Sequence, residues 1–321
     1  MTSLGVIPPE LAAALKALER FVPEASRRAA ASLELILDGW SATGRAAYGS
    51  NLTGDGFPVE FVFSSLDAAV RYTSEVAGPG LAPPQRLRRG SDLLDALGHP
   101  AGFPLRNLQE GCAGLGWGAW IGGRHTSALD RYKLYVEAPE NLTRAARSEL
   151  DHALGGYRTL LESHAYRLRM AGFDSASGNL EFYFYGHAME PQELRKLLFF
   201  CGLAKQEEDL FTLLEEASHR PARWRLPGTQ HGFSVTLARG GEIESFTFFV
   251  FARSLFGSDT RTRSSLLTLS ERRGWNLDQY AAVSATLPRP QVPGPCHGIV
   301  SFVVNRRNPL GVSVGLRPWI L

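Results

Sequence analysis

Residues 131–138 read Arg-Tyr-Lys-Leu-Tyr-Val-Glu-Ala, and the way they alternate decides the fold. Tyr132, Leu134 and Val136 share one face, while Arg131, Lys133, Tyr135 and Glu137 share the other. A period of two belongs to a half-buried strand. Residues 116–123, Gly-Trp-Gly-Ala-Trp-Ile-Gly-Gly, precede it across a turn, and the two runs make a hairpin. The figure recurs outward along the chain, pairing 166–172 with 179–186, 232–241 with 245–252, and 297–307 with 311–318. The run Phe-Pro-Val-Glu-Phe-Val-Phe-Ser at 57–64 alternates too, and its candidate partner is 32–40 across a longer loop.

Segments 9–20, 66–77, 140–163, 190–217 and 263–286 carry apolar residues at three- and four-residue spacing and read as helices. Asn141 and Pro191 stand where helix starts are expected. Five helix-plus-hairpin units give ten antiparallel strands. Closing them into one barrel removes every open edge and lets the helices cover the outside. Residues 1–321 are then expected to form a single barrel domain. The alternative is an open sheet with helices on one side and a solvated polar face on the other.

Helices over the apolar face leave the polar face to line the lumen. That face carries Glu60, Ser64, Arg167, Arg169, Asn179, Glu181, Tyr183, Tyr185, Ser313 and Arg317, with Leu168 and Met170 expected outside. Ten strands enclose more than side chains fill, so a solvent-accessible chamber is expected. A charged interior is costly unless it meets a ligand of matching charge.

Composition narrows the classes. With 34 Lys and Arg against 32 Asp and Glu, and no basic tract, nothing points to nucleic acid. No window approaches a membrane-spanning helix, and the first twenty residues lack the basic start and apolar core of a signal peptide. Three scattered cysteines, Cys112, Cys201 and Cys296, argue for a reducing cytoplasm, which makes the Asn-Leu-Thr sequons at Asn51 and Asn141 chance matches. The glycines at 114, 116 and 118 have no βαβ unit behind them, and no P-loop, HExxH or DDxxD motif occurs. Glu207, Glu208, Asp209, Glu215 and Glu216 read as a solvated helix face, and 260–263 as a helix-entry loop.

Two further motifs bring a resemblance. Gly56-Phe57-Pro58-Val59-Glu60, followed by Val70-Arg71-Tyr72-Thr73-Ser74-Glu75, resembles the Gly-x-Pro-x-Glu strand and Val-Arg-Phe/Tyr-Thr-x-Glu helix of the dimethylallyltryptophan synthase group of aromatic prenyltransferases. Arg131-Tyr132-Lys133-Leu134-Tyr135 is similar to that group's Arg-x-Lys-x-Tyr strand. The resemblance implies an α+β fold, a ten-stranded antiparallel β-barrel ringed by α-helices and built from repeated α-β-β-α units. It implies that Glu60 accepts the acceptor's indole N–H and takes the proton the alkylated ring loses. It also implies that Arg71, Lys133 and Tyr135 bind the prenyl diphosphate. Where the group repeats Arg-x-Lys-x-Tyr, this chain has Asn179-Leu180-Glu181-Phe182-Tyr183, which keeps only the tyrosine. Thr247-Phe248-Phe249 and the Arg317/Trp319 pair are further departures. Arg124, Arg167 and Arg169 are candidates for the missing positive charge.

Prenyl transfer needs cations for the leaving diphosphate, aromatic faces around the allylic cation and a base near the acceptor. Arg71, Lys133 and Arg124 suit the first role. Tyr135, Tyr183 and Tyr185 suit the second, with Trp117, Trp120 and Phe249 as further candidates. Glu60 suits the third. Glu181 would meet a basic acceptor or Mg²⁺, or pair with Arg169, and Arg169 and Trp117 would contact the acceptor. No motif requires a cofactor or a metal site, and Mg²⁺ enters as an accelerant at most. The expected partners are a prenyl diphosphate donor and an aromatic acceptor of indole or tryptophan type. Alternatives are a Trp, Tyr or Arg side chain of a modified cyclic peptide, and a non-catalytic barrel that binds a hydrophobic small molecule.

Overall fold

The structure is a computed structural model describing residues 7–38, 49–78, 80–100, 102–110, 114–155, 166–186, 188–285, 295–306 and 310–319. Ten antiparallel strands form a closed barrel: β1 Val59–Ser64, β2 Val70–Glu75, β3 Ala119–His125, β4 Asp130–Glu137, β5 Arg167–Asp174, β6 Asn179–Tyr185, β7 His231–Leu237, β8 Ile243–Phe251, β9 His297–Asn305 and β10 Gly311–Leu316. Each strand pairs with its sequence neighbours, and β1 pairs with β10 to close the ring. No edge is left to attract another strand.

Helices precede every hairpin: α1 Pro9–Leu18 and α2 Pro23–Ile36, α3 Pro83–Ala96 and α4 Arg106–Glu110, α5 Arg144–Leu154, α6 Pro191–Phe200 and α7 Glu207–Ser218, then α8 Ala252–Phe256, α9 Asp259–Arg273 and α10 Asp278–Ser284. Proline at the first helical position starts α1, α2, α3 and α6. Thr143, rather than Asn141, caps α5, its hydroxyl accepting from the Ala146 N–H at 3.2 Å.

The two faces of the sheet differ as the alternation requires. Outward residues such as Phe61, Ile121, Leu134, Phe182 and Phe248 are buried against the helices in one apolar layer. Inward residues keep contact with solvent: the side chains of Lys133 and Glu181 retain 24% and 13% exposure, while their strand neighbours Leu134 and Phe182 retain none. Water therefore reaches the strands from inside the barrel.

Several expectations are corrected. Segment 66–77 is not a helix: 70–75 is strand β2, buried at Val70, Tyr72 and Ser74 in period two and paired on both sides. Segment 32–40 is not the partner of β1, because Ser32, Leu33 and Ile36 complete the buried face of α2, while 39–40 lie outside the described residues. Run 57–64 is thus the first strand of its hairpin, not the second. Residues 260–263 lie inside α9, whose cap is Ser258. A bulge at Arg169 returns Met170 to the inner face, paired with Tyr183, whereas strict alternation placed it outside. The helical reading of 156–163, Arg307 and Cys112 all fall outside the described residues; Cys201 and Cys296 are buried free thiols. No described helix is long and apolar enough to cross a membrane.

Candidate functional site

Strand register places the inward side chains in rows around the lumen. Arg71 on β2, Arg124 on β3 and Arg131 on β4 are direct partners and form a row of three guanidiniums. This row lies toward the end of the barrel where the odd-numbered strands finish. The next row is Glu60, Thr73, Gly122 and Lys133. Thr73 and Gly122 are small, so the carboxylate and the ammonium project into the open lumen from positions three strand spacings, roughly 14 Å, apart along the wall.

Glu60 rests against the neighbouring strands β10 and β9, which present glycines. A Cβ on Gly298 would fall 1.9 Å from Glu60 Oε1, and one on Gly315 would fall 2.5 Å from its Cδ. Those two glycines create the space the carboxylate occupies. Among the described residues Glu60 receives no hydrogen bond and faces no cation, and burial alone lifts its carboxyl from 4.5 to about 7. Gly298→Ala should therefore turn the carboxylate away. Any transfer that uses Glu60 should drop by about 10²-fold, the usual effect of misplacing a reacting group by an ångström, with circular dichroism unchanged.

The cations are all paired. Lys133 Nζ donates to Glu181 Oε2 at 2.6 Å, and Ser234 Oγ donates to Glu181 Oε1 at 2.6 Å. Burial works against both charges, yet their mutual attraction raises the Lys133 ammonium and lowers the Glu181 carboxyl. Glu181 is thus the partner of Lys133, not of Arg169. Gly172 on the intervening strand makes the reach possible, because a Cβ there would meet Lys133 Cδ at 2.9 Å and the Tyr135 ring at 3.0 Å. Tyr135 and Tyr183 meet edge to face, with centroids 5.8 Å apart, and Lys133 Nζ lies 5.6 Å from the Tyr135 ring centre. Tyr183 loses its proton only well above the usual range, through burial and then the Glu181 charge.

Arg131 pairs with Asp174, and Arg71 and Arg124 share Asp67. Burial would raise the Asp67 carboxyl, but the Arg71 bond and charge bring it down to about 2. Among the described residues Arg124 Nε and Arg131 Nε are buried donors without an acceptor.

The other end of the lumen is aromatic. Trp117 and Trp120 stack with centroids 3.8 Å apart, and the Glu137 carboxylate fixes the loop by accepting the Gly116, Trp117 and Gly118 N–H groups at 3.0, 2.7 and 2.7 Å. Tyr185 and Phe249 line this end, Phe251 meets Tyr185 edge to face, and Arg167 and Arg169 stand there exposed beside Glu140. Arg167 and Arg169 therefore add nothing to the cations around Lys133. Arg317 is a clamp between the Phe57 and Trp319 rings, ion-paired to Asp55 at 2.5 Å.

Asp67, Asp174, Ser234 and the glycines at 172, 298 and 315 have no role in the sequence reading, and Arg131 stands there in the motif without one. The helical reading of 66–77 concealed the row of arginines. Glycines inside alternating runs were the available signal for close approach. Of the acidic helix face, Glu207, Glu208 and Glu216 bond Arg195, Arg223 and Arg273. Among the described residues no cluster of three or more His, Cys, Asp or Glu is placed to hold a metal ion.

No protein-family model and no curated protein matches the chain. Solved structures do. A 6-dimethylallyl tryptophan synthase superposes with a TM-score of 0.77 at 20% identity, covering 99% of each chain. The 6-dimethylallyltryptophan synthase from Micromonospora olivasterospora, solved in complex with DMASPP and Trp, gives 0.78 at 22% identity over 98% of each chain. The 5-dimethylallyltryptophan synthase from Streptomyces coelicolor gives 0.75 at 14% identity, again over 98% of each. With the barrel closed and its full length matched, this chain has the fold of those aromatic prenyltransferases.

Proposed function

We propose that this protein is an aromatic prenyltransferase that moves a dimethylallyl or longer prenyl group from its diphosphate to an electron-rich acceptor of indole or tryptophan type. One observation carries the reading. A carboxylate with no partner among the described residues and raised to about 7, Glu60, shares the lumen with four cations, Arg71, Arg124, Arg131 and Lys133. That is a base and an anion site in one enclosed space. The fold shared with synthases whose names specify dimethylallyl tryptophan formation supports the same assignment.

In the proposed reaction an aromatic ring carbon attacks C1 of the prenyl diphosphate. The C1–O bond breaks, diphosphate leaves with the electron pair, and a C–C bond forms. The ring then loses the proton from the alkylated carbon to Glu60 and regains aromaticity. Arg71, Arg124, Arg131 and Lys133 hold the departing diphosphate. Tyr135 and Tyr183 face the allylic cation and keep water from it, each ring contributing ~0.5–2 kcal/mol. The acceptor enters at the aromatic end, between Trp117, Tyr185 and Arg169, and reaches Glu60. An acceptor with a basic group, such as a peptide Arg, would meet Glu181 only by taking the place of Lys133. Residues 1–321 act in this reading as one cytoplasmic barrel domain, without a resident metal and with Mg²⁺ at most accelerating.

The deciding experiment incubates the protein with dimethylallyl diphosphate and tryptophan, indoles, tyrosine or cyclic peptides, and follows mass gains of one prenyl unit. Absence of turnover with every prenyl length, beside tight binding of a hydrophobic ligand, would sink the enzyme reading in favour of a binding barrel. Glu60 must be ionised to take a proton. Turnover should therefore fall about tenfold per unit as pH drops below about 7.

A further inference from the structure

The four cations Arg71, Arg124, Arg131 and Lys133 each already have a carboxylate on them, and one of those carboxylates stands on a turn instead of a strand. Asp67 lies between β1 and β2. Its Oδ1 accepts from Arg71 Nε at 3.2 Å, its Oδ2 accepts from Arg71 Nη2, and Arg124 Nη2 donates to the same Oδ2 at 3.0 Å. This is the two-pronged geometry with which a guanidinium holds a phosphate. One N–H fork cannot serve both anions at full strength, and a carboxylate left beside phosphate oxygens repels them.

We propose that Asp67 is the resident counter-ion of the diphosphate site: it occupies Arg71 and Arg124 in the free protein, yields them to the donor, and takes them back as product diphosphate leaves. The inference rests on the prenyl-transfer reading. Asp67 is the carboxylate best placed to yield. Its side chain keeps 25% exposure, so the displaced oxygens can turn to water, whereas Asp174 and Glu181 keep 12% and 13%. The turn is anchored in two places, Ala69 N–H donating to Asp67 Oδ1 at 3.0 Å and Gln279 Nε2 on α10 donating to the Ala68 carbonyl at 2.6 Å, so Oδ2 can turn from the arginines while the second bond holds the loop. Competition of this kind lowers apparent affinity by the fraction of molecules whose arginines are free, which weakens donor and product alike.

Titration calorimetry of the full chain with inorganic diphosphate tests this at constant pH. Asp67→Asn keeps the shape and removes the charge, so it should bind diphosphate about tenfold more tightly, and Asp67→Glu should stay close to wild type. Thermal melting guards against a folding artefact. Asp67→Asn should melt lower than wild type when free, yet gain more from added diphosphate. If Asp67→Asn binds as the wild type does, or more weakly, Asp67 merely props the arginines and the inference is overturned. If the wild type takes up no diphosphate, the prenyl-transfer reading falls first and the inference with it.

Discussion

Glu60→Gln is expected to lower prenyl transfer by about 10²–10⁴-fold, the usual contribution of a positioned base, while making the protein more stable at pH 8. The first effect follows from losing the only lumen carboxylate without a partner among the described residues. The second follows from the sign of its titration. In the fold its carboxyl sits at about 7, above its ordinary 4.5, so its stabilising contribution is complete below pH 4.5 and is lost as pH rises through 7. Above that, the ionised carboxylate costs the fold roughly 3 kcal/mol, from a rise of about 2.5 pKa units at about 1.4 kcal/mol each. Glutamine bears no charge at any pH, so the variant should melt higher than wild type at pH 8 and equally near pH 4. Thermal melts at the two pH values check this, and equal melting at both would place Glu60 in bulk-like solvent.

Lys133→Met is the second large effect, and it runs the other way. Removing the ammonium leaves the Glu181 carboxylate with neutral donors alone, Ser234 at 2.6 Å and the Tyr183 hydroxyl. Stranding a buried charge costs about 3–5 kcal/mol in a dry interior. The partial solvation of Glu181 brings the expected loss to about 2–3 kcal/mol, seen as a shifted denaturation midpoint. Adding Glu181→Gln should restore most of that stability, because the orphaned charge is gone. It should not restore the donor site. A lost charged hydrogen bond of about 1.5–3 kcal/mol corresponds to a 10–100-fold rise in donor KM in both variants. Recovery of donor KM in the double variant would remove Lys133 from the diphosphate site.

The barrel was legible in the chain because nine of its ten strands, all but β2, read as strands regardless of partners. Arg131 to Ala138 and Asn179 to Gly186 declare two faces before anything is known of their neighbours. The first hairpin was not legible. Leu66, Ala69, Val70 and Thr73 have helical spacing, and only pairing with β1 and β3 forces 70–75 to extend. The bulge at Arg169 was hidden for a related reason, since a one-residue insertion in a ladder leaves no mark on composition.

The site divides along the same line. Glu60, Lys133, Tyr135 and Tyr183 are visible from sequence because polar residues on the inward face of an otherwise apolar strand have few reasons to be there. Their partners are not visible. Asp67 joins Arg71 and Arg124, Asp174 joins Arg131, Glu181 joins Lys133, and Gly298 and Gly315 make room for Glu60, all across strands distant in the chain. Outside β2 and the bulge at Arg169, sequence alone determined which residues face inward, since that depends on a two-residue period each strand carries by itself. The tertiary structure alone decided which charges are neutralised and which one stays bare. Pairing depends on register and barrel closure, and these bring together side chains that no local pattern relates.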